Sequence, residues 1–303
     1  MMSARFLTVV LERAFNMRDG FGREIDYMRI SVIDSCNLNC YYCNPCDNNE
    51  HCHALNILSV KEVLGIVRAA TRLGIKHFRL TGGEPLLHPQ LDEMVLQIKK
   101  IPGVSSVSLT TNAVLLVQHA KWLKEAGIDS INVSLDTIDA SEYERITKKP
   151  LLEEVKHGIN AAIECGIRVK INVVLTPQTD VVALTRYVAK KGTDIRFIEM
   201  MPVGEGHTNG VEPYKKVIGT LSKLYGEPCR INTEKTKEIN SGNDKRKIPD
   251  NGPAEYYIFP ELGIRVGLIQ AIHGKFCDTC NRIRVTADGR LMPCLGSSVT
   301  MDL

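Results

Sequence analysis

Apolar positions along the chain come in short blocks whose period switches between two and about 3.6 residues. Tyr27-Met28-Arg29-Ile30-Ser31-Val32-Ile33 reads as a strand. Ser59 and Glu62 then stand at capping-box spacing ahead of Val63, Ile66, Val67 and Ala70, which share one helical face, so a helix is expected over about 59–73. Gly74 ends it, and Ile75-Lys76-His77-Phe78-Arg79-Leu80 reads as the next strand. The alternation recurs, predicting helices near 89–100, 115–126, 151–165 and 180–191 among strands at 104–110, 128–135, 167–175 and 194–200. Strands rich in Val and Ile, each separated from the next by a helix, predict parallel βαβ units, six strands in all. Six units fall short of a closed eight-stranded barrel. The expected fold is α/β, a partial TIM-like (βα)6 barrel open on one side, with its chemistry at the carboxyl ends of the strands.

The pattern breaks after Met201-Pro202-Val203-Gly204. One further helix is expected near 212–225, and 230–253 then turns polar and rich in Lys, Asn, Asp, Gly and Pro, as a surface connection does. Ile264-Arg265-Val266-Gly267-Leu268, Ile283-Arg284-Val285 and Arg290-Leu291-Met292 read as short strands, the last two joined at an Asp288-Gly289 turn. The chain thus divides into a barrel over 1–203 and a small C-terminal module over 204–303.

Charge and cysteine content narrow the chemistry. The 303 residues hold 38 basic and 35 acidic side chains, a net charge of +3. That balance carries no global nucleic-acid or membrane signature, so an anionic partner must be met by a local cluster. The apolar run Phe6 to Leu11, interrupted by Thr8, is too short for a membrane span and weak for a signal sequence, and a cytoplasmic location is expected. Ten cysteines in such a compartment are reduced thiols suited to metal ligation. Cys36, Cys40, Cys43, Cys46 and Cys52 gather at one end and Cys277, Cys280 and Cys294 at the other. Cys165 and Cys229 stand alone and are expected to be packing residues.

Cys36, Cys40 and Cys43 follow the first strand directly. Three thiolates from one loop can converge on one metal centre and, unlike four, leave a metal position open for an outside ligand. Spacing alone leaves two readings: a zinc knuckle completed by Cys46, Cys52, His51 or His53, or a four-iron cluster with one free iron. On the second reading Asn44 to Asn56 is a surface loop. Thr81-Gly82-Gly83-Glu84-Pro85 ends the second strand, offering glycine backbone for close approach of a ligand and a carboxylate able to receive an ammonium. Cys277, Cys280 and Cys294 make a second set of three around a hairpin, either a zinc ribbon or another open cluster. Arg282 and Arg284 alternate on the strand beside it and project to one face, their planar forks matched to phosphate oxygens or base edges.

With Tyr42 before the last cysteine of the first set and Gly82-Gly83-Glu84-Pro85 after the second strand, the chain resembles the radical S-adenosylmethionine superfamily. The resemblance continues to the GTP 3′,8-cyclase family of molybdenum cofactor biosynthesis. It runs through Leu80-Thr81-Gly82-Gly83-Glu84-Pro85-Leu86, Leu109-Thr110-Thr111-Asn112, Ile131-Asn132-Val133-Ser134-Leu135-Asp136, Arg196-Phe197-Ile198-Glu199 and Gly252-Pro253-Ala254. It implies a partial barrel whose C-terminal cluster region closes its mouth, two 4Fe-4S clusters and bound S-adenosylmethionine. The implied activity is that of a lyase at the first step of molybdopterin biosynthesis, in which a 5′-deoxyadenosyl radical takes the ribose H3′ of GTP and C3′ bonds to guanine C8. Carried over by motif, Cys36, Cys40 and Cys43 hold the radical-generating cluster and Cys277, Cys280 and Cys294 the second. Tyr42, Gly82, Gly83, Glu84, Ser134 and Met201 then line the cofactor, while Arg29, Arg79, Thr110, Lys170, Arg282, Ile283 and Arg284 face GTP. An electron donor such as flavodoxin or ferredoxin, a downstream cyclic pyranopterin monophosphate synthase and a homodimeric state are implied with them, and neither membrane nor nucleic acid is an expected partner. Two alternatives stay open at this point: a radical enzyme acting on a peptide or another small molecule, and a non-catalytic zinc-binding module.

Two features depart from the family pattern. The family carries Lys two places before Arg79, where this chain has His77, whose mostly neutral imidazole attracts phosphate less at pH 7. The family also continues past the last cluster cysteine to a Gly-Gly tail, whereas this sequence stops at Met301-Asp302-Leu303.

Overall fold

The computed structural model describes residues 17–43, 56–202, 211–231, 252–297 and 299–303. Cys46, His51, Cys52, His53 and most of the polar connection at 230–253 lie outside the described residues. The barrel alternation appears as β1 (Tyr27–Ser31), α1 (Val60–Arg72), β2 (His77–Thr81), α2 (Leu91–Lys99), β3 (Ser106–Thr111), α3 (Leu116–Glu125) and β4 (Ser130–Ser134). It continues with α4 (Ala140–Thr147), α5 (Leu152–Glu164), β5 (Arg168–Val174), α6 (Val181–Lys190) and β6 (Asp194–Ile198). The C-terminal region adds α7 (Gly219–Tyr225), β7 (Cys229–Ile231), β8 (Glu255–Ile258), β9 (Arg265–Ile269), β10 (Arg282–Val285), β11 (Arg290–Met292) and β12 (Met301–Asp302). The capping box foreseen at α1 is formed: Glu62 N donates to Ser59 Oγ at 3.3 Å and Ser59 N to Glu62 Oε2 at 2.8 Å.

All twelve strands join one sheet in the order β12-β11-β10-β1-β2-β3-β4-β5-β6-β9-β8-β7. Six parallel strands were expected, but β10 pairs parallel with β1 and β9 parallel with β6, so the parallel run takes in C-terminal strands at both edges. Parallel neighbours need a long crossover rather than a hairpin, and strand pattern alone does not say which edge a crossover returns to. The antiparallel strands β8 and β7 follow β9, and β11 and β12 follow β10.

Along the strands, alternate residues separate two faces. Met28, Ile30, Phe78, Leu80, Val107, Leu109, Ile131, Val133, Ile171, Val173, Ile195 and Phe197 are buried in one apolar cluster with the helices. Each such side chain contributes roughly 1.5–3 kcal/mol relative to exposure, which sets the register, since a one-residue slip would turn all of them to the other face. That other face carries Arg29, Arg79, Ser108, Thr110, Asn132, Lys170, Arg196 and Arg284. It is curled. Arg29 on β1 feels the charge of Arg196 on β6, although a flat sheet would hold those strands roughly 24 Å apart at about 4.8 Å per strand. A closed barrel fills this interior with apolar layers; here it is polar and cationic. Among the described residues no helix is long and apolar enough to cross a membrane.

Candidate active site

The cysteine loop leaves the carboxyl end of β1 and is tied down from two sides. Asn39 N donates to Thr147 O at 3.0 Å and Tyr41 N to Ile146 O at 3.1 Å, so the loop rests on the C-terminal turn of α4. From the barrel side, Asn112 Nδ2 donates to Asn37 Oδ1 at 2.7 Å and lies 3.8 Å from Cys36 Sγ. The Tyr42 hydroxyl donates to Asp136 Oδ2, and Asp136 Oδ1 accepts from Val174 N at 2.7 Å. Burial lifts the Asp136 carboxyl to about 6 and the Tyr42 phenol well above its ordinary value. Helix α4 was not foreseen from the pattern, although Asp139 caps it by accepting from Glu142 N at 2.8 Å and Tyr143, Ile146 and Thr147 are buried.

Cys36, Cys40 and Cys43 are free thiols that sense one another. Burial foremost, with the charges of Asp136, Cys43 and Cys36, pushes Cys40 up to about 12. Burial likewise raises Cys36 and Cys43. Thiols so placed stay protonated until a cationic centre arrives to hold them as thiolates, which is what an iron cluster supplies. Among the described residues no group of three His, Cys, Asp or Glu side chains is gathered to hold a metal ion.

The Gly-Gly turn has a task in the fold apart from the one expected of it at the cofactor. A Cβ on Gly82 would sit 2.3 Å from Ile33 O, and one on Gly83 would sit 2.2 Å from Ser35 O. Gly83 N donates to Ile33 O and Glu84 N to Ser35 O, both at 2.8 Å. The close approach is therefore that of the cysteine loop itself. Glu84 is corrected as well: it is 1% exposed and turned inward, not out towards an ammonium. Its carboxylate accepts from Thr111 Oγ1 at 2.7 Å, Asn112 N at 2.7 Å and Leu86 N at 3.1 Å. Burial raises it to about 7. Glu84 braces the turn against β3 from behind, while Gly82 and Gly83, Ser134 at the exposed end of β4, and Met201 after β6 stand at the carboxyl ends of their strands.

The second cysteine set lies at the opposite end. Cys277 and Cys280 immediately precede β10, which is parallel to β1, and Asn281 O accepts from Tyr27 N at 3.2 Å where β1 begins. Cys294 follows β11, which runs back antiparallel to β10 towards that same end. The C-terminal cysteines therefore close the amino end of the barrel rather than its mouth, as parallel pairing of β10 with β1 requires. Five strand residues, roughly 17 Å at about 3.3 Å each, separate the two levels. Arg23 Nη1 donates to Cys277 O at 2.7 Å, and Arg284 feels Cys294 and Cys280. Gly252, Pro253, Phe276, Thr279, Asn281 and Arg282 line a cleft beside this set. Of the two lone cysteines, Cys165 packs against the core as expected, whereas Cys229, on edge strand β7, is exposed among the described residues.

Between the two ends runs the cationic interior. Arg29 pairs in register with Arg79 on one side and Arg284 on the other. Burial foremost, with the like charges of Arg284, Arg282 and Arg196, takes the Arg29 guanidinium down to about 10. Its Nε is buried without a hydrogen-bond partner. Arg79 Nε donates to Ser108 Oγ at 3.0 Å and Arg196 Nε to Asn172 Oδ1 at 2.9 Å. Arg282 lies over the Tyr27 ring at 5.9 Å, and Thr110 and Lys170 flank Asn132 in register. Ile283 turns its side chain into the apolar cluster, leaving only its backbone to the interior. His77 Nδ1 is 2.8 Å from Ser106 Oγ, and burial lowers its pKa, so its ring is neutral at pH 7. Like charges gathered in a poorly solvated space call for a polyanion to fill it.

Two family models match the chain: the radical SAM superfamily over residues 30–184 and Molybdenum Cofactor Synthesis C over residues 193–303. A GTP 3′,8-cyclase from Clostridium perfringens (strain SM101 / Type A) is 37% identical over 282 residues, covering 92% of this chain and 83% of that protein. The chain belongs to the GTP 3′,8-cyclase family. Another member, from Pelotomaculum thermopropionicum, is 38% identical over 294 residues and covers 95% of this chain and 86% of its own. The fold is shared more widely within the radical SAM superfamily. Streptococcus suis SuiB bound to S-adenosylmethionine superposes with a TM-score of 0.64 at 16% identity, over 92% of this chain and 63% of SuiB. Native anSMEcpe with bound AdoMet gives 0.61 at 18% identity, over 90% of this chain and 75% of its own.

Asn112, Asp136, Arg23 and Asn132 were not singled out from sequence, although three of them lie inside or beside motifs that were. Asn112, Asp136 and Arg23 are ordinary polar residues that meet partners remote in the chain, and Asn132 is a buried amide inside a strand; no spacing rule reports either.

Proposed function

We propose that the chain is a radical S-adenosylmethionine GTP 3′,8-cyclase, a lyase at the first step of molybdenum cofactor biosynthesis. The observation that carries this reading is the set of basic side chains inside the barrel, Arg29, Arg79, Lys170, Arg196, Arg282 and Arg284, lying between two sets of three cysteines at opposite ends of the same strands. The reaction removes H3′ from the ribose of GTP and joins C3′ to guanine C8. When bound by Cys36, Cys40 and Cys43, a reduced 4Fe-4S cluster with S-adenosylmethionine supplies the 5′-deoxyadenosyl radical that takes that hydrogen.

The chain's own residues do the rest. Tyr42, Gly82, Gly83, Ser134 and Met201 contact the cofactor, and Glu84 and Asp136 hold the loops that carry those contacts. Arg29, Arg79, Thr110 and Lys170 neutralise and orient the triphosphate, as preorganised cations do. Cys277, Cys280 and Cys294 would hold a second 4Fe-4S cluster, which would supply a metal site for the base, and the Arg282 to Arg284 segment fixes the base at that far end. Residues 1–203 thus generate the radical and meet the triphosphate, and 204–303 hold the base. The buried interior keeps bulk water from the reacting atoms. A flavodoxin or ferredoxin supplies the electron, a cyclic pyranopterin monophosphate synthase consumes the product, and the protein works as a cytoplasmic homodimer.

Anaerobic incubation of the reconstituted protein with S-adenosylmethionine, dithionite and GTP tests this, with mass analysis for 5′-deoxyadenosine and a cyclised GTP isomer. Cys36→Ala is expected to abolish cofactor cleavage, while Cys277→Ala retains much of it and loses GTP turnover. Equal loss of both activities in the two variants counts against the division of labour. Cofactor cleavage without GTP consumption by the wild type counts against the substrate.

A further inference from the structure

Asn132 is buried at the middle of β4 with no function in the fold or the site as described above. It is 1% exposed, and both Oδ1 and Nδ2 lack a hydrogen-bond partner. Buried polar groups are nearly always bonded, and leaving one unsatisfied is costly, so an amide with both ends free is a strong local signal. Ile131 and Val133 pack into the apolar cluster, which puts Asn132 on the interior face together with Ser134. Its register partners are Thr110 on β3 and Lys170 on β5.

The chemistry of the two free atoms selects the ligand group. Phosphate oxygens only accept and ammonium groups only donate, whereas a sugar hydroxyl or a guanine edge does both, and with the base at the far end the hydroxyl is the group left for this level. Asn132 also stands at a telling height. It is one inward step, about 7 Å, below Ser134 at the cofactor end of β4, on the side leading to the level of the second cysteines. A nucleotide with its base at the far end and its C3′ within reach of the cofactor end must pass its ribose through this level. We infer that the Asn132 amide binds a ribose hydroxyl of GTP and so sets the height of the sugar in the barrel. The inference rests on the cyclase reading and adds to it a residue that reads the sugar.

The test is anaerobic titration calorimetry of the cluster-reconstituted protein with GTP, 2′-deoxyGTP and 3′-deoxyGTP. The wild type is expected to bind one of the two deoxy analogues roughly ten-fold more weakly than GTP, the loss that follows when a buried hydrogen bond is left unmade. Asn132→Ala is expected to weaken GTP binding by a similar factor and to bind GTP and that analogue alike. The isosteric Asn132→Asp, which keeps an acceptor and loses the donor, is expected to shrink the same GTP-to-analogue ratio. Equal binding of all three nucleotides by the wild type overturns the inference. So does an unchanged ratio in either variant, including one that only loses stability, because the amide then serves the fold alone. Wild-type protein that binds none of the nucleotides overturns the GTP reading itself.

Discussion

Glu84 shows how a motif residue can be read correctly as important and wrongly as to what it faces. Burial raises its carboxyl from the ordinary 4.5 to about 7, while its three donors, Thr111, Asn112 and Leu86, pull the other way. A carboxyl whose pKa is higher in the folded than in the unfolded protein stabilises the fold fully below the unfolded value, and that contribution is lost as pH rises through the folded value. The window is therefore about pH 4.5 to 7, and a shift of this size is worth about 3 kcal/mol. The stability difference between wild type and Glu84→Gln, taken from urea unfolding of the cluster-free protein, is expected to move against the wild type by that order between pH 4.5 and 8. A difference that stays constant over the range would show that Glu84 remains ionised throughout. The sequence showed a carboxylate at a strand end; that its oxygens turn back to Thr111 and Asn112 follows from β3 lying beside β2, which no local signal reports.

Helix α5 meets α3 at a glycine. A Cβ on Gly158 would lie 2.3 Å from Ala113 O and 3.0 Å from Leu116 Cβ. In an isolated helix Gly→Ala gains up to about 1 kcal/mol, so propensity and packing oppose each other here. Forcing a methyl against a backbone oxygen costs about 1–3 kcal/mol, and packing wins. Gly158→Ala is expected to lower the thermal midpoint, and an unchanged or raised midpoint would mean that the two helices separate at little cost. At this scale much was legible. The capping box at Ser59 and Glu62 and the strands from β1 to β6 appear where periodicity placed them, because each is amphipathic within its own window. Helix α4, β7, β8 and β12 were not read from the pattern.

For the whole molecule, the decisive feature is that the C-terminal strands complete the sheet that the barrel strands begin. One join is marked by a buried ion pair: Arg265 on β9 donates from Nε to both oxygens of Asp194 on β6, at 3.2 and 3.1 Å, and Nη2 also bonds Oδ2. The side chains are 6% and 5% exposed. Removing one partner from such a pair costs about 3–5 kcal/mol, because the other charge stays buried. Asp194→Ala is expected to lower the urea midpoint accordingly, and a loss below about 1 kcal/mol would place the pair in the surface class. The sequence by itself determined the βα alternation, the two sets of three cysteines and the apolar face of each strand, since spacing and period are properties of the chain alone. Tertiary structure decided which edge β9 and β10 join, that the second cysteines stand at the amino end of the barrel, and that residues as far apart as Arg29 and Arg196 share one interior. Those outcomes depend on crossovers and on sheet curvature, which bring together side chains that no local pattern relates.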